Sequence, residues 1–133
     1  FVIFNCTAEQ MRHCWLNEYF PRMMIEKGAG PYERFVTVDV LKSAGFRIEC
    51  EEKYDINPDL KDLFLYSGKH RPERYLDPRI RSGISCFADA PDQEEIARGL
   101  QRLADDIESG RIKEVIGKFA YDGGDYMFTV AER

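Results

Sequence analysis

Two kinds of hydrophobic period alternate along this chain. From Phe46 to Tyr54, in FRIECEEKY, apolar and charged residues alternate singly, with Phe46, Ile48 and Cys50 set against Arg47, Glu49 and Glu51. A period of two predicts a strand with one covered face, lying near a sheet edge. It follows at once on a helical stretch in which Thr37 is the expected cap and Val38, Leu41 and Ala44 share a face. Gly45 is the expected left-handed stop, and Phe46 the apolar residue that closes it. Helix, one-glycine stop and strand form the second half of an α/β crossover. Phe1 to Phe4 (FVIF) is apolar without alternation, which predicts a strand covered on both faces in the interior of a sheet, and Tyr126 to Ala131 predicts a final strand. An interior strand needs neighbours on both edges, so the expectation is the later part of a larger α/β domain rather than an independent small one.

Between the strands the period is helical. Thr7 with Gln10 three residues on reads as a capping box, and Met11, Cys14, Trp15 and Tyr19 then form one buried stripe. Pro21 ends that helix or starts a further turn, and GAGP at 28 to 31 breaks the chain, with a loop expected from Glu26 to Arg34. Asn57 followed by Pro58 predicts a helix that ends at Gly68, with Leu60, Leu63, Phe64 and Tyr66 on its apolar side. Asp77 and Pro78 repeat the start signal for a short helix burying Ile80, Ile84 and Phe87. Asp92 and Glu95 form the capping box of the longest helix, with a stripe of Ile96, Leu100, Leu103 and Ile107 and a stop at Ser109 and Gly110. A short helical segment around Ile112, Val115 and Ile116 leads to the turn YDGGD.

Composition narrows the class. With 133 residues, 44% of them hydrophobic, the chain suits one core, and a net charge of −5 gives no electrostatic reason to approach nucleic acid or an anionic membrane. No apolar run reaches the ~20 residues that cross a bilayer, so a cytoplasmic protein is expected. Cys6, Cys14, Cys50 and Cys86 stand singly, without metal or redox spacing, and are read as reduced packing residues; no metal site is expected.

Three groups of residues have chemical potential. Asn5 and Thr7 follow the carboxyl end of the first strand, where open α/β sheets bind their ligands, although Thr7 is also accounted for as a cap. His13, one turn into the first helix, is a candidate general base. In SGKHRPERYLDPRIRSG, His70, Arg71 and Arg74 lie in a basic cluster with Lys69, Arg79 and Arg81; it is able to hold a carboxylate or phosphate, or else to pair with acids of the long helix. The glycines at 28 to 30 and 123 to 124 do not join a strand to a helix and are read as turns.

The strand FVIFN, the helix ending in LKSAGF, the strand RIECEEKYDI and the last strand GDYMFTVAER together resemble the closing third of a class I methyltransferase that uses S-adenosylmethionine. The resemblance covers residues 1 to 54 and 119 to 133, and LKSAGF is its most specific part. It implies the C-terminal part of a Rossmann-like α/β sheet of three strands, the last inserted antiparallel between the other two. Residues 55 to 118 would be a helical insertion serving as lid or substrate-recognition element, all within one partial domain. The family's donor-binding motifs would precede Phe1, so no cofactor-binding or catalytic residue is carried over, and S-adenosylmethionine would be held mainly by the part outside this chain. The resemblance implies a small-molecule methyl acceptor, with Asn5, Thr7, His13, Tyr66, His70, Arg71 and Arg74 as candidate substrate contacts. A non-catalytic α/β module that binds or dimerises through the exposed edge of FVIF remains the alternative.

Overall fold

The computed structural model describes residues 1–28 and 34–133. Their order is β1 (Val2–Asn5), α1 (Ala8–Arg12), a 3-10 turn (Trp15–Glu18), α2 (Pro21–Gly28), α3 (Arg34–Ser43) and β2 (Arg47–Tyr54). A second 3-10 turn (Pro72–Leu76), α4 (Pro78–Ser82), α5 (Ser85–Ala88), α6 (Gln93–Ser109), α7 (Ile112–Lys118) and β3 (Tyr126–Glu132) complete it. In this mixed α/β fold the described strands form one three-stranded antiparallel sheet in the order β1-β3-β2. β3 is antiparallel to both neighbours, so β1 and β2 run parallel to each other on either side of it.

Signals that act within a few residues form as the chain reads. The Thr7 hydroxyl accepts from the Gln10 N–H while the Gln10 side chain accepts from the Thr7 N–H, the reciprocal box that satisfies two otherwise orphaned donors. Gly45 has φ +82°, and the Gly45 and Phe46 amides donate to the Lys42 and Leu41 carbonyls, the double bond of a glycine stop that a Cβ would strain. Asp77 caps α4 through the Arg79 amide, and Gly110 closes α6 at φ +81°.

Several expectations are corrected. The first helix does not run to Tyr19: it stops at His13, and Trp15–Glu18 turns as a 3-10 segment, where Asn17 Nδ2 bonds the Met11 and Cys14 carbonyls. Pro21 begins α2, which extends through Glu26 to Gly28, so the expected loop starts later; residues 29–33 of the glycine break lie outside the described residues. α3 begins at Arg34, which puts Thr37 inside the helix rather than at its cap.

β1 is not covered on both faces. It is an edge strand among the described residues, and Phe1, Val2 and Phe4 are exposed. In β2, Ile48 stands opposite Ala131 and Cys50 opposite Val130, so Glu49 is the extra residue of a bulge. The bulge shifts the face of everything after it, which is why Cys50 is exposed instead of sharing the covered side with Ile48.

No helix forms from Asn57 to Gly68. Asn57 Oδ1 instead accepts from the Asp59 amide as a local turn, and distant side chains take the backbone groups that a helix would use. The Tyr75 hydroxyl bonds the Leu65 carbonyl and the Gly68 amide, the Tyr126 hydroxyl takes the Tyr66 amide, and Arg71 and Arg74 donate to the Leu60 carbonyl. Gly68 is needed for this close approach, since a Cβ there would lie 2.6 Å from the Tyr75 ring.

The largest buried side chains, Trp15, Tyr19, Tyr75, Phe20, Leu16 and Leu103, lie in the helical layer rather than on the sheet. The sheet joins that layer through an aromatic face in which Phe4 meets Tyr54, Tyr126 and Phe128, and Phe64 of the insertion covers it edge-on. α6 is locked to α2 by Glu95, which does not complete the box at its own N-terminus. Asp92 alone caps α6, and the buried Glu95 carboxylate accepts from the Arg22 and Met23 amides at 2.9 and 3.0 Å, capping α2 from another helix.

Two outcomes follow from these caps. Glu95→Ala removes two charge-assisted bonds and should lower the unfolding free energy in urea by about 2 to 3 kcal/mol; a change under about 0.5 kcal/mol would show that α2 is not held this way. The Asp77 carboxylate is held below its usual range by the Arg79 guanidinium and amide, and that of Asp92 by the Glu95 amide and then Arg22. Groups with depressed folded values stabilise fully above the ordinary carboxylate pKa, near 4, and lose that stabilisation as pH falls through the lower folded value. Melting temperature should therefore drop below about pH 4, and less steeply for Asp77→Asn and Asp92→Asn; equal slopes would contradict the assignment.

Candidate functional site

α1 and the start of β3 meet at the carboxyl end of β1. Gln10 makes that junction: beyond its cap bond, its Nε2 donates to the carbonyls of Gly123 at 3.1 Å and Tyr126 at 2.9 Å. The turn before β3 is fixed on its other side by the Asp125 amide on the Tyr54 carbonyl, 2.9 Å, and by Lys53 Nζ on the Asp122 carbonyl. These bonds open a cavity of about 260 Å3 lined by Gln10, His13, Tyr66, Lys69, Tyr121 and Asp125, with Ile116 and Phe119 as apolar wall.

Its polar groups are ordered by the same backbone. The Asp125 carboxylate accepts from the Ile56 amide at 2.8 Å and from Lys69 Nζ at 2.7 Å to each oxygen. The pair is mostly shielded from solvent, with 9% of the Asp125 side chain and 23% of that of Lys69 accessible. Breaking either partner would leave an uncompensated charge in a poorly solvated place. The Tyr66 hydroxyl accepts from the Trp15 amide at 3.3 Å, and Trp15 Nε1 donates to the Lys69 carbonyl at 3.1 Å. Burial, with the Cys14 thiol beside it, raises the Tyr66 pKa far above that of an ordinary phenol, so the group keeps its proton. At the mouth, the His13 ring lies parallel to Tyr121, centroids 4.0 Å apart and planes 5° apart, with Nε2 3.3 Å from Glu9.

A second, apolar cavity of about 310 Å3 also begins just after β1, lined by Cys6, Met11, Phe64, Ile84, Cys86 and Tyr126. Burial pushes the Cys6 thiol up to about 12 and the Cys14 thiol well above its usual range, which makes both packing groups rather than nucleophiles. None of the four cysteines is in a disulfide.

Of the seven residues singled out from sequence, His13 and Tyr66 come together in the polar cavity. Thr7 is buried and engaged in its cap, and Asn5 ends β1 opposite Met127 without lining that cavity. His70 is exposed, with Nε2 2.9 Å from the Ile56 carbonyl. In the basic cluster the bonds among the described residues stay within its own segment or reach the turn before β3: Arg71 and Arg74 donate to the Leu60 carbonyl, Arg81 to the Tyr75 carbonyl, Arg79 pairs with Asp77 and Lys69 with Asp125. In the sequence Asp125 and Tyr121 read only as turn residues and Lys69 only as one more cation. Asp125 alone carries a positional signal, since an acid directly before a strand that starts beside the carboxyl end of β1 lies at the end of the sheet where open α/β folds take their ligands.

Among the described residues no group of three or more His, Cys, Asp or Glu is placed to hold a metal, and no helix is long and apolar enough to cross a membrane. The residues of the β1–α1 junction do not fit S-adenosylmethionine. The β1–α1 junction has no glycine, its Thr7 and Gln10 amides are taken up by the capping box, and the nearest buried carboxylate, Asp125, is neutralised by Lys69.

No family model and no curated protein matches this chain. Among solved structures, it is similar to a candidate methyltransferase from an antibiotic biosynthesis pathway of Anabaena variabilis ATCC 29413, with a TM-score of 0.73 and 26% sequence identity. The match covers 97% of this chain and 53% of that one, so the chain spans about half the length of the protein it resembles. The likeness supports a methyltransferase fold for the described residues.

Proposed function

We propose that this chain is the acceptor side of an S-adenosylmethionine-dependent methyltransferase acting on a small molecule: the C-terminal part of a Rossmann-like sheet, whose donor-binding part lies outside these residues. The observation that carries the reading is the strand order, in which β3 runs back antiparallel between two parallel strands joined by a helical crossover. The likeness to a methyltransferase over nearly the whole chain supports it. So does β1, whose second edge has no partner strand among the described residues while Phe1, Val2 and Phe4 are exposed beside it. In this reading that edge receives the rest of the sheet; self-association through it is the competing use of the same surface.

The donor, when bound, supplies an electrophilic methyl group, and the work left to this chain is positioning. Ile116 and Phe119 keep water from one wall of the polar cavity. Tyr66 and Lys69 hold the acceptor by hydrogen bonds, and their partners Trp15 and Asp125 fix their directions. His13, at the mouth beside Glu9, is the group placed to receive the acceptor's proton.

Calorimetry on the 133-residue chain should show no binding of S-adenosylmethionine, whereas a polypeptide extended upstream of Phe1 should bind it and transfer methyl groups. In the extended protein His13→Ala should reduce kcat by about 100-fold with little change in donor affinity. Tight donor binding by the 133 residues alone, or an extended protein that binds no donor, would overturn the reading. Concentration-dependent dimerisation of the extended protein through β1 would favour the competing use.

A further inference from the structure

The polar cavity contains more hydrogen-bond donors than its own residues consume. Tyr66 is 6% exposed, and its hydroxyl accepts from the Trp15 amide, but among the described residues its proton has no acceptor. Lys69 Nζ spends two of its three N–H groups on the two oxygens of Asp125. One phenolic and one ammonium donor therefore remain on residues that line the same cavity.

Three further features limit what those donors take. The Lys69 charge is already balanced by Asp125 at 2.7 Å, so an entering carboxylate would gain little from the lysine and would be repelled by the aspartate. The wall is apolar at Ile116 and Phe119, and the stacked rings of His13 and Tyr121 offer a flat side, which favours a planar ligand. The volume sets the size: a cavity of ~150 Å3 accommodates one benzene ring, so about 260 Å3 suits a bicyclic molecule.

We propose that the cavity lined by His13, Tyr66, Lys69, Tyr121 and Asp125 binds an uncharged planar aromatic carbonyl compound, its carbonyl oxygen accepting from Tyr66 and Lys69. The carbonyl is a handle that orients the ring rather than the atom that reacts. Calling this ligand the methyl acceptor rests on the function proposed above; the binding itself does not.

Three probes separate the possibilities by calorimetry on the protein: 1-indanone, which carries the carbonyl; indane, which lacks it; and benzoate, which is an anion. 1-Indanone should bind at least ~10-fold more tightly than either, the discrimination expected of a site whose buried donors are otherwise left unpaired. Tyr66→Phe should remove most of that advantage while the near-ultraviolet dichroism of Trp15 stays native. On the unmodified protein, 1-indanone should shift the amide resonances of Gly117 and Gly124, which line the cavity, and leave Gly45 unmoved. Equal binding of indane, tighter binding of benzoate, unchanged affinity in a folded Tyr66→Phe, or amide shifts confined to another region would each overturn the proposal. Methyl transfer by the upstream-extended protein is read separately. Activity without affinity for 1-indanone overturns this inference alone, and affinity without activity overturns the methyltransferase reading alone.

Discussion

The antiparallel entry of β3 between β1 and β2 is the constraint on which the rest of the molecule depends. Two parallel strands cannot be joined by a tight turn, so the chain leaves the sheet through α1 to α3 and returns as β2. It then leaves again from the carboxyl end of β2, completes the helical layer with residues 55 to 118, and re-enters at the same end of the sheet. Because β3 runs in the reverse direction, its first residues arrive beside the last residues of β1. That coincidence places Tyr121 and Asp125 against Gln10 and His13, although more than 100 residues separate them.

What the chain reveals in advance divides by range. The capping box of Thr7 and Gln10, the glycine stop at Gly45, the Asp77 and Asp92 caps and the stop at Gly110 were legible because donor and acceptor lie within five residues of each other. The stretch from Asn57 to Gly68 was not, because its helical start signal competes with hydroxyls from Tyr75 and Tyr126 and a guanidinium from Arg71, none of which a local pattern contains. The bulge at Glu49 was hidden too, since the alternation that reads as an unbroken strand continues through it.

The candidate site shows the same division. His13 is legible from its chemistry, as a histidine in the first helix after β1, and Tyr66 is named although the helix assigned to it does not form. The Lys69 and Asp125 pair, 56 residues apart, has no local signature, whereas Arg71, Arg74 and Arg81 donate to carbonyls of their own insertion and Arg79 pairs with Asp77. Guanidinium groups that satisfy backbone carbonyls stiffen a segment without regular structure, which is how residues 56 to 76 hold their shape with little helix.

Native-state amide hydrogen exchange resolved by residue is the most direct test of this account. Phe128, Thr129 and Val130, flanked by strands on both sides, should exchange only through global unfolding and with the slowest rates in the sheet, while amides on the outer edges of β1 and β2 exchange faster through local opening. Rates in β3 as fast as those of the outer edges would mean that the strand does not enter between them, and the cavity built at its start would lose its foundation.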